Sequence, residues 1–195
     1  MTFWDDNATP AGVFNVGDMY DEYTARQADF IIEQLDVDSG TMLDLGCGIG
    51  RLTLPVARSS PSLLVIGTDP SPAMHLEAKT VEGTAANVIF FMVDRVDTMQ
   101  PALDGAWCVL TFQHLPDDTV KQHLADLSEI LKPGARLVTQ WVTEGEEAPM
   151  SYPRTHTEIR DWHFDVGFPW PTMFFDAAVT RYSDEWLWVT AEKPA

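Results

Sequence analysis

Three glycines at alternate positions follow an apolar run: they are Gly46, Gly48 and Gly50. A glycine-rich turn lets a ligand lie against exposed backbone N–H groups, because no side chain holds the ligand away from the main chain. The turn that binds dinucleotides has the pattern G-x-G-x-x-G, and the position of its third glycine is occupied here by Arg51. The spacing therefore predicts a ligand-binding turn that differs from the dinucleotide pattern.

Three apolar runs of the sequence, the first of which leads into this turn, each contain or end with an aspartate. Asp44 lies within the first run, Asp69 ends the second and Asp94 ends the third. A carboxylate at the end of the second strand can accept both hydroxyls of a ribose, and another can accept a hydrogen bond from an adenine amino group. The glycine turn and these three acids together predict a nucleoside site.

Five apolar runs of strand length must position these residues. Their near-continuous apolar character is typical of strands covered on both faces, as in a parallel sheet. The predicted strands are residues 41–46, 63–69, 88–94, 106–112 and 136–142. Because open α/β sheets bind ligands at the carboxyl ends of their strands, we expect the glycine turn and the acids to meet at that edge.

Helix signals alternate with the strands. Residues 20–37 form a helical pattern that is strongly acidic on its outer side, and Ser71-Pro72 predicts the start of another helix. The clearest helix lies in residues 117–134, where Asp118 can cap the start and Lys132-Pro133-Gly134 ends it. Its apolar stripe consists of Val120, Leu124, Leu127 and Leu131.

Residues 172–182 and 185–192 read as two strands joined by a tight turn at Ser183-Asp184. The layout predicts an α/β fold in which βαβ repeats close with an antiparallel pair. A length of 195 residues without repeats or linkers predicts one domain.

The net charge of −18 is concentrated in the two flanks of the chain. Residues 1–40 carry a net charge of −8, residues 41–140 carry −4 and residues 141–195 carry −6. No basic stripe is visible, so we do not expect a nucleic acid partner. The acidity fits plain solubility, life in high salt, or attraction of a cationic substrate.

The N-terminal residues 1–10 are acidic and lack the features of a secretory signal, and no apolar run approaches the length of a membrane span. The two cysteines, Cys47 and Cys108, have no metal-site or disulfide spacing, and the histidines have no recognised metal-ligand spacing either. We expect a cytoplasmic protein with reduced cysteines, without a bound metal and without a membrane partner.

The chain resembles the class I S-adenosylmethionine-dependent methyltransferases. The segment "MLDLGCGIGRL" resembles their first motif, "VIGTDPSPAM" the second, "FFMVD" the third and "AWCVLTFQHLPDD" the fourth. "ILKPGARLV" resembles the turn and strand that follow, and the motifs come in the family's order over residues 40–142. The resemblance implies S-adenosylmethionine as cofactor and a Rossmann-like three-layer sandwich. Its sheet is mostly parallel and seven-stranded, with an antiparallel C-terminal hairpin.

The same resemblance implies roles for parts of the chain and for single residues. Residues 1–40 become an N-terminal helical cap, 41–142 the cofactor-binding core, and 143–195 the substrate-side segment and hairpin. Asp69 is expected to hold the ribose hydroxyls, and Asp94 with the backbone of Arg95 to read the adenine edge. The expected cofactor-binding residues are Asp44, Gly46, Cys47, Gly48, Gly50, Asp69, Pro70, Asp94, Arg95, Thr111 and Phe112.

His114 is the best candidate for a general base, because in this family the residues just after the fourth strand face the reacting methyl group. The alternative is that His114 packs against the cofactor or caps the following turn. His156 and His163 are interpreted as surface or packing residues, and His75 and His123 as structural residues of predicted helices.

The fourth motif also narrows the substrate. Methyltransferases acting on exocyclic amines of bases or on glutamine amides carry Asn or Asp, then Pro-Pro and an aromatic residue there, whereas this chain has "TFQHLP". What remains is a small molecule methylated on oxygen, nitrogen or carbon. One or two aromatic residues of the flanks could bind a planar or a cationic acceptor, whereas core packing is the default explanation for most of them. The aromatic residues of the flanks are Tyr20, Tyr23, Trp141, Tyr152, Trp162 and Trp170.

Two alternatives stay open at this point. A protein that binds S-adenosylmethionine or S-adenosylhomocysteine without catalysis would keep the same glycines and acids. A nicotinamide-dependent oxidoreductase could use a similar sheet, although Arg51 and the antiparallel ending argue against it.

Overall fold

The computed structural model describes residues 3–13, 20–82, 85–97, 103–143, 151–174 and 186–195. Within these residues, seven strands form one sheet in the order β3-β2-β1-β4-β5-β7-β6. The strands are β1 Gly40–Leu45, β2 Leu63–Thr68, β3 Val88–Phe91, β4 Leu103–Cys108, β5 Leu131–Val142, β6 Thr172–Phe174 and β7 Trp186–Glu192. The first five strands pair in parallel, and β7 pairs antiparallel with both β5 and β6.

Helices pack on both faces of this sheet. They are α1 Phe3–Asp6, α2 Pro10–Val13, α3 Tyr20–Leu35, α4 Thr53–Ser59, α5 Pro72–Glu82, α6 Asp117–Ile130 and α7 His156–Asp165. One cluster of buried apolar side chains joins α3, α4 and α5 to the sheet, and a second cluster joins α6 and α7 to its other face. The predicted three-layer fold, with its mostly parallel sheet and antiparallel ending, is confirmed.

The strand ends differ from the prediction in a way that matters for the site. The fourth strand was expected at 106–112, but β4 ends at Cys108 and the chain then turns through Leu110, whose φ is 59°. Phe112–His114 form a short 3-10 helix. The apolar run continues past the strand because Val109 and Phe112 are buried in the turn as well. Apolar character alone therefore does not mark where this strand stops.

Three other strand boundaries also differ from the prediction. The third strand ends at Phe91 rather than at residue 94. The expected fifth strand, 136–142, begins at Leu131, because Leu131 pairs with Leu103 before an irregularity in the β4–β5 ladder. The first C-terminal strand covers Thr172–Phe174, and its predicted continuation and the Ser183-Asp184 turn lie outside the described residues.

The helix starts are capped partly as expected. The Ser71 hydroxyl accepts a hydrogen bond from the N–H of Met74 at 3.2 Å, which confirms the cap of α5. The helix α6 begins at Asp117 after Pro116, with no side-chain cap, so the expected cap at Asp118 is wrong. Its stripe of Val120, Leu124 and Leu127 is buried. No helix in the described part of the chain combines the length and apolar composition of a bilayer-spanning segment.

Candidate functional site

A pocket of about 800 Å³, including the part open to solvent, lies at the carboxyl ends of β1, β2 and β4. This is the edge where open α/β sheets bind ligands. The lining residues come from four places along the chain: α1, the turn after β1, the turn after β2 with the start of α5, and the turn after β4. They are Trp4, Asp44, Gly46, Cys47, Gly48, Arg51, Leu52, Asp69, Pro70, Met74, Val109, Leu110, Thr111, His114 and Leu115.

The backbone of the glycine turn adopts a conformation that residues with a side chain rarely adopt. Gly46 and Gly48 have φ values of 73° and 54°, in the left-handed region that favours glycine. The N–H groups of Gly46 and Cys47 donate to the Thr68 carbonyl at 2.8 and 2.9 Å, so the end of β2 holds the turn in place. A Cβ on Gly46 would lie 2.3 Å from the Thr111 hydroxyl oxygen. The absence of side chains thus lets the turns after β1 and β4 meet.

Gly50 has a different role. Its φ is 83°, and a Cβ there would lie 2.8 Å from the Phe90 ring. Gly50 does not belong to the pocket lining. This third glycine lets the turn pack against β3 rather than opening space for a ligand.

Asp69 faces the pocket from the end of β2 and is fixed by two backbone groups. One carboxylate oxygen accepts a hydrogen bond from the N–H of Gly48 at 3.0 Å, and the other accepts from the N–H of Ser71 at 2.9 Å. Burial raises the pKa of this carboxyl above its ordinary value, while the two N–H groups act in the opposite direction. The carboxylate therefore joins the turns after β1 and β2 in a fixed orientation.

Asp44 and Arg51 are two charged residues of the pocket lining. Asp44 is only 3% exposed, and its carboxylate accepts a hydrogen bond from the Thr53 hydroxyl at 2.6 Å. Burial raises the pKa of Asp44 to about 7. Burial also lowers the pKa of Arg51 to about 10, and its guanidinium donates to the Gln27 side chain at 2.8 Å. A carboxyl and a guanidinium thus line the same pocket and influence each other's pKa electrostatically.

The turn after β4 forms another part of the pocket lining. Thr111 donates its hydroxyl hydrogen toward the carbonyls of Gly46 and Val109, at 3.3 and 3.2 Å. Leu110 lines the pocket with a φ of 59°, which is unusual for a residue with a side chain and is characteristic of functional sites. His114 follows in the 3-10 helix, and its Nε2 lies 3.1 Å from the Gln113 amide nitrogen.

The helix α1 closes one side of the pocket. The Trp4 ring packs edge-on against the His114 ring, with a centroid distance of 4.6 Å. The Asp5 carboxylate accepts a hydrogen bond from the Ser71 hydroxyl at 2.7 Å. α1 therefore bridges the start of α5 and the turn after β4, across the region between Asp69 and His114.

Eight of the expected site residues share this pocket: Asp44, Gly46, Cys47, Gly48, Asp69, Pro70, Thr111 and His114. The sequence analysis missed Trp4, Arg51, Leu52, Met74, Val109, Leu110 and Leu115. Arg51 had a signal, since it directly follows the glycine turn. Trp4 had none, because it lies 110 residues before His114, its partner in the turn after β4.

Asp94, Arg95 and Phe112 are not brought into the pocket. Because β3 ends at Phe91, Asp94 lies in the following loop and is exposed. The Arg95 guanidinium pairs with Asp126 through hydrogen bonds of 3.0 and 2.8 Å. The Phe112 side chain is fully buried in the core on the α6 face. The geometry thus separates these three from the expected cofactor contacts.

The other histidines lie away from the pocket lining. His163 is fully buried, its ring Nδ1 lies 2.7 Å from the Ile159 carbonyl, and burial lowers its pKa to about 4. Burial lowers the pKa of His123 as well. His75 is half-buried on α5 and His156 is exposed on α7. No group of three or more potential metal ligands occurs among the described residues.

The aromatic residues of the flanks divide between core and surface. Trp141 and Trp162 are buried in the cluster on the α6 face, and Trp170 is 87% exposed. Tyr20, Tyr23 and Tyr152 are half-buried and are absent from the pocket lining. The aromatic residue that does line the pocket, Trp4, was not among those expected.

Comparison with known proteins agrees with this geometry. Residues 42–134 match the family model described as a methyltransferase domain. The chain is 25% identical over 184 residues to trans-aconitate 2-methyltransferase of Methylobacterium radiotolerans, covering 88% of this chain and 69% of that protein. It is 32% identical over 116 residues to an uncharacterized methyltransferase of Emericella nidulans, covering 50% of this chain and 40% of that protein.

Two other relatives are named as RNA methyltransferases. The chain spans less than half the length of three of these four relatives. Among solved structures, magnesium protoporphyrin IX methyltransferase of Synechocystis PCC 6803, with S-adenosylmethionine bound, has a TM-score of 0.72 at 20% identity. The match covers 98% of this chain and 91% of that one. The family motifs, the pocket at the sheet edge and the domain matched over residues 42–134 agree, and the chain is similar to S-adenosylmethionine-dependent methyltransferases.

Proposed function

We propose that this protein transfers a methyl group from S-adenosylmethionine to oxygen, nitrogen or carbon of a small molecule. The observation that carries the proposal is the meeting of the glycine turn, the Asp69 carboxylate and the turn after β4 in one pocket. When bound, the cofactor supplies a methyl group that its sulfonium has already activated. The protein's share is then placement of the acceptor and, where the acceptor needs it, removal of a proton.

The ribose and adenine are assigned to the Asp69 side of the pocket. The oriented carboxylate of Asp69 can accept hydrogen bonds from both ribose hydroxyls. Gly46 and Gly48 line the pocket without side chains, so the backbone of this turn is accessible to the cofactor. Pro70 and Met74 line the pocket beside Asp69 and offer apolar surface to the adenine ring.

The amino-acid tail of the cofactor is assigned to the part of the pocket lined by Asp44 and Arg51. Its carboxylate and ammonium match the charges of Arg51 and Asp44, both of which line the pocket. Burial disfavours each charge on its own, as the raised pKa of Asp44 and the lowered pKa of Arg51 show. A zwitterion bound beside them offsets part of that cost, since it places an opposite charge near each of the two groups.

The acceptor is assigned to the space bounded by Trp4, His114 and Leu115. The His114 imidazole can take the proton of an acceptor O–H or N–H group, and Trp4 and Leu115 offer apolar surface beside it. We expect His114→Ala to slow turnover while cofactor affinity is kept. A large loss of affinity would instead make His114 a cofactor contact.

A small-molecule acceptor fits the charge of the chain better than RNA does. With a net charge of −18, the surface repels phosphates, although two relatives are named as RNA methyltransferases. The acidity suits a cationic acceptor, and Trp4 suits an aromatic or alkylammonium one. Both described cysteines are free thiols, which supports the proposed cytoplasmic location.

Calorimetric titration with S-adenosylmethionine, S-adenosylhomocysteine and NAD tests the cofactor site. We expect affinities of about 1–100 μM for the first two, roughly −8 to −5 kcal/mol, and none for NAD. Transfer of labelled methyl to a panel of amines, phenols, carboxylates and short RNA then tests the activity. Tight binding without transfer to any acceptor would favour a non-catalytic binding protein, and transfer to RNA would overturn the small-molecule assignment.

A further inference from the structure

Arg154 is a buried arginine outside the pocket, and its bonds lead to the pocket wall. It lies between β5 and α7 and is only 3% exposed. A buried guanidinium destabilises a fold unless its N–H groups find partners, so the identity of those partners indicates its role. The chain around it is held to the end of β5, because the Arg154 N–H donates to the Val142 carbonyl at 2.9 Å.

The guanidinium holds the backbone of the turn after β4. Its Nη1 donates to the Phe112 carbonyl at 2.7 Å, and its Nη2 donates to the Leu115 carbonyl. The Tyr152 N–H donates to the Gln113 carbonyl at 2.8 Å, so the same short segment binds three carbonyls of one turn. The remaining bonds of Arg154 go to the Asp117 carboxylate at the start of α6, at 3.0 and 3.2 Å.

From within, this turn is held by two backbone hydrogen bonds, from the N–H groups of His114 and Leu115 to the carbonyls of Thr111 and Phe112. It begins after the left-handed Leu110, and the 3-10 helix has no side-chain hydrogen bond at its start. Yet it carries His114 and Leu115, which line the pocket. The cofactor side, with Asp69 and Gly48, is held by bonds in which Arg154 takes no part.

We propose that Arg154 is a positioning residue, which fixes the turn 112–115 and thereby orients the His114 ring toward the acceptor. Its effect on methyl transfer rests on the proposed function, whereas its effect on the turn does not. Loss of the guanidinium loosens the turn 112–115, which carries His114 and Leu115. It leaves Asp69 and Gly48, on the cofactor side of the pocket, in place. Arg154→Lys is the informative variant, because an ammonium keeps the charge opposite Asp117 but cannot bridge two separate carbonyls in the guanidinium's planar geometry.

The experiment is NMR of the whole protein with ¹³C-labelled histidine, with the His114 ring resonance assigned by its loss in His114→Ala. We expect that resonance to shift or broaden in Arg154→Lys and to keep its wild-type position in Asp117→Asn. Asp117→Asn is the matched control, since it removes the charge partner but not the bonds to the turn. An unchanged resonance in Arg154→Lys overturns the proposal, and equal shifts in both variants assign the effect to α6 instead.

Two further measurements complete the test. Calorimetry is expected to give S-adenosylmethionine affinities within about threefold of wild type for both variants, a difference of roughly 0.6 kcal/mol. A larger loss of affinity in Arg154→Lys contradicts the inference that Arg154 acts on the acceptor side of the pocket and not on the cofactor side. If wild type itself binds no cofactor, the proposed function fails while the resonance still decides the role of Arg154.

Hydrogen exchange measured on the wild-type protein is a test that does not depend on whether a variant folds. The N–H groups of His114 and Leu115 donate within the turn at 2.9 and 3.1 Å. We expect them to exchange at least about a hundredfold more slowly than unprotected amides, because Arg154 fixes the turn. Exchange at the unprotected rate means that the turn is not fixed, and it overturns the proposal.

Discussion

Asp44 and Asp69 lie on neighbouring strands of one sheet, and each is held in its own way. Asp69 accepts two backbone N–H groups beside the open pocket, whereas Asp44 is enclosed and accepts the Thr53 hydroxyl. The first arrangement leaves acceptor capacity for hydroxyls of a ligand. The second leaves a charge that the free protein solvates poorly. The two carboxylates therefore give different predictions.

We expect Asp69→Ala to weaken S-adenosylmethionine binding by at least about tenfold, or 1.4 kcal/mol, because the variant loses charge-assisted hydrogen bonds to the ribose. Calorimetry measures the affinity. Asp94→Ala is the matched control, since Asp94 is exposed outside the pocket, and it should change the affinity by less than about twofold. Equal losses in the two variants would restore the adenine role that the family resemblance implies for Asp94.

Asp44→Asn is expected to change how stability depends on pH. Burial raises the pKa of Asp44 from 3.8 to about 7, so between these values the folded protein holds a proton that the unfolded chain has released. This carboxyl therefore lowers the free energy of unfolding as pH rises through that interval. The variant lacks the effect, and its stability relative to wild type should increase toward pH 8, by at most about 4 kcal/mol.

Urea unfolding of the cofactor-free proteins at about pH 4.5 and pH 8 measures this difference. The Asn carbonyl can still accept the Thr53 hydroxyl, so the comparison isolates the titration of the carboxyl. A stability difference that is the same at both pH values would contradict the raised pKa.

At the scale of elements, the site depends on the turns after β1 and β4 meeting over the sheet edge. Gly46 makes this contact possible, because a Cβ there would overlap the Thr111 side chain. The packing explains why the sequence predicted the position of the turn after β1 correctly but put the start of the turn after β4 too late. A glycine pattern marks its own turn, but the end of β4 depends on Leu110 and Phe112, which are apolar like the strand before them.

Gly46→Ala should weaken cofactor binding by at least about tenfold, because the added methyl group displaces Thr111 and the turn after β4. Gly134→Ala is the matched control: its φ is 80°, close to the 73° of Gly46, but nothing lies within 4 Å of the added Cβ. Both variants are expected to lose about 1–2 kcal/mol of stability through backbone strain alone.

Calorimetry of both glycine variants separates strain from contact. Gly134→Ala should retain wild-type affinity, and Gly46→Ala should lose more stability than the control does. If the two variants bound cofactor equally well, the contact between the two turns would not be needed for the pocket.

At the scale of the whole molecule, the charge of −18 acts on every part of the fold. Several ion pairs reduce the repulsion locally, including Arg136 with Asp36 and Glu192. Acidic residues outnumber basic ones by 30 to 12, so the basic side chains cannot neutralise all of the carboxylate charge. Repulsion among them favours the expanded, unfolded chain.

We expect the melting temperature to rise with NaCl, because the Debye length falls from about 30 Å at 0.01 M to about 3 Å at 1 M. A gain of about 1–2 kcal/mol would correspond to roughly 2–8 °C for a chain of this size. Differential scanning calorimetry in NaCl and in KCl measures the shift. Similar rises in both salts indicate screening, and a flat or falling melting temperature would show that repulsion does not limit stability.

The sequence by itself predicted the fold class, the similarity to methyltransferases and about one half of the residues that line the candidate pocket. The reason is that the glycine turn and Asp69 are local features, and parallel strands bring their carboxyl ends to one edge whatever their exact lengths. The division into cap, core and substrate-side segment stays a prediction.

The tertiary structure alone decided the other half. Trp4 meets His114, Arg154 holds the turn at Phe112 and Leu115, and Asp94 lies outside the pocket. These contacts join residues far apart in the chain, and Asp94 is excluded because β3 ends three residues early. Long-range packing leaves no periodic or local signal in the sequence, and neither does a strand end inside an apolar run. Both depend on which residues the rest of the fold places beside that segment.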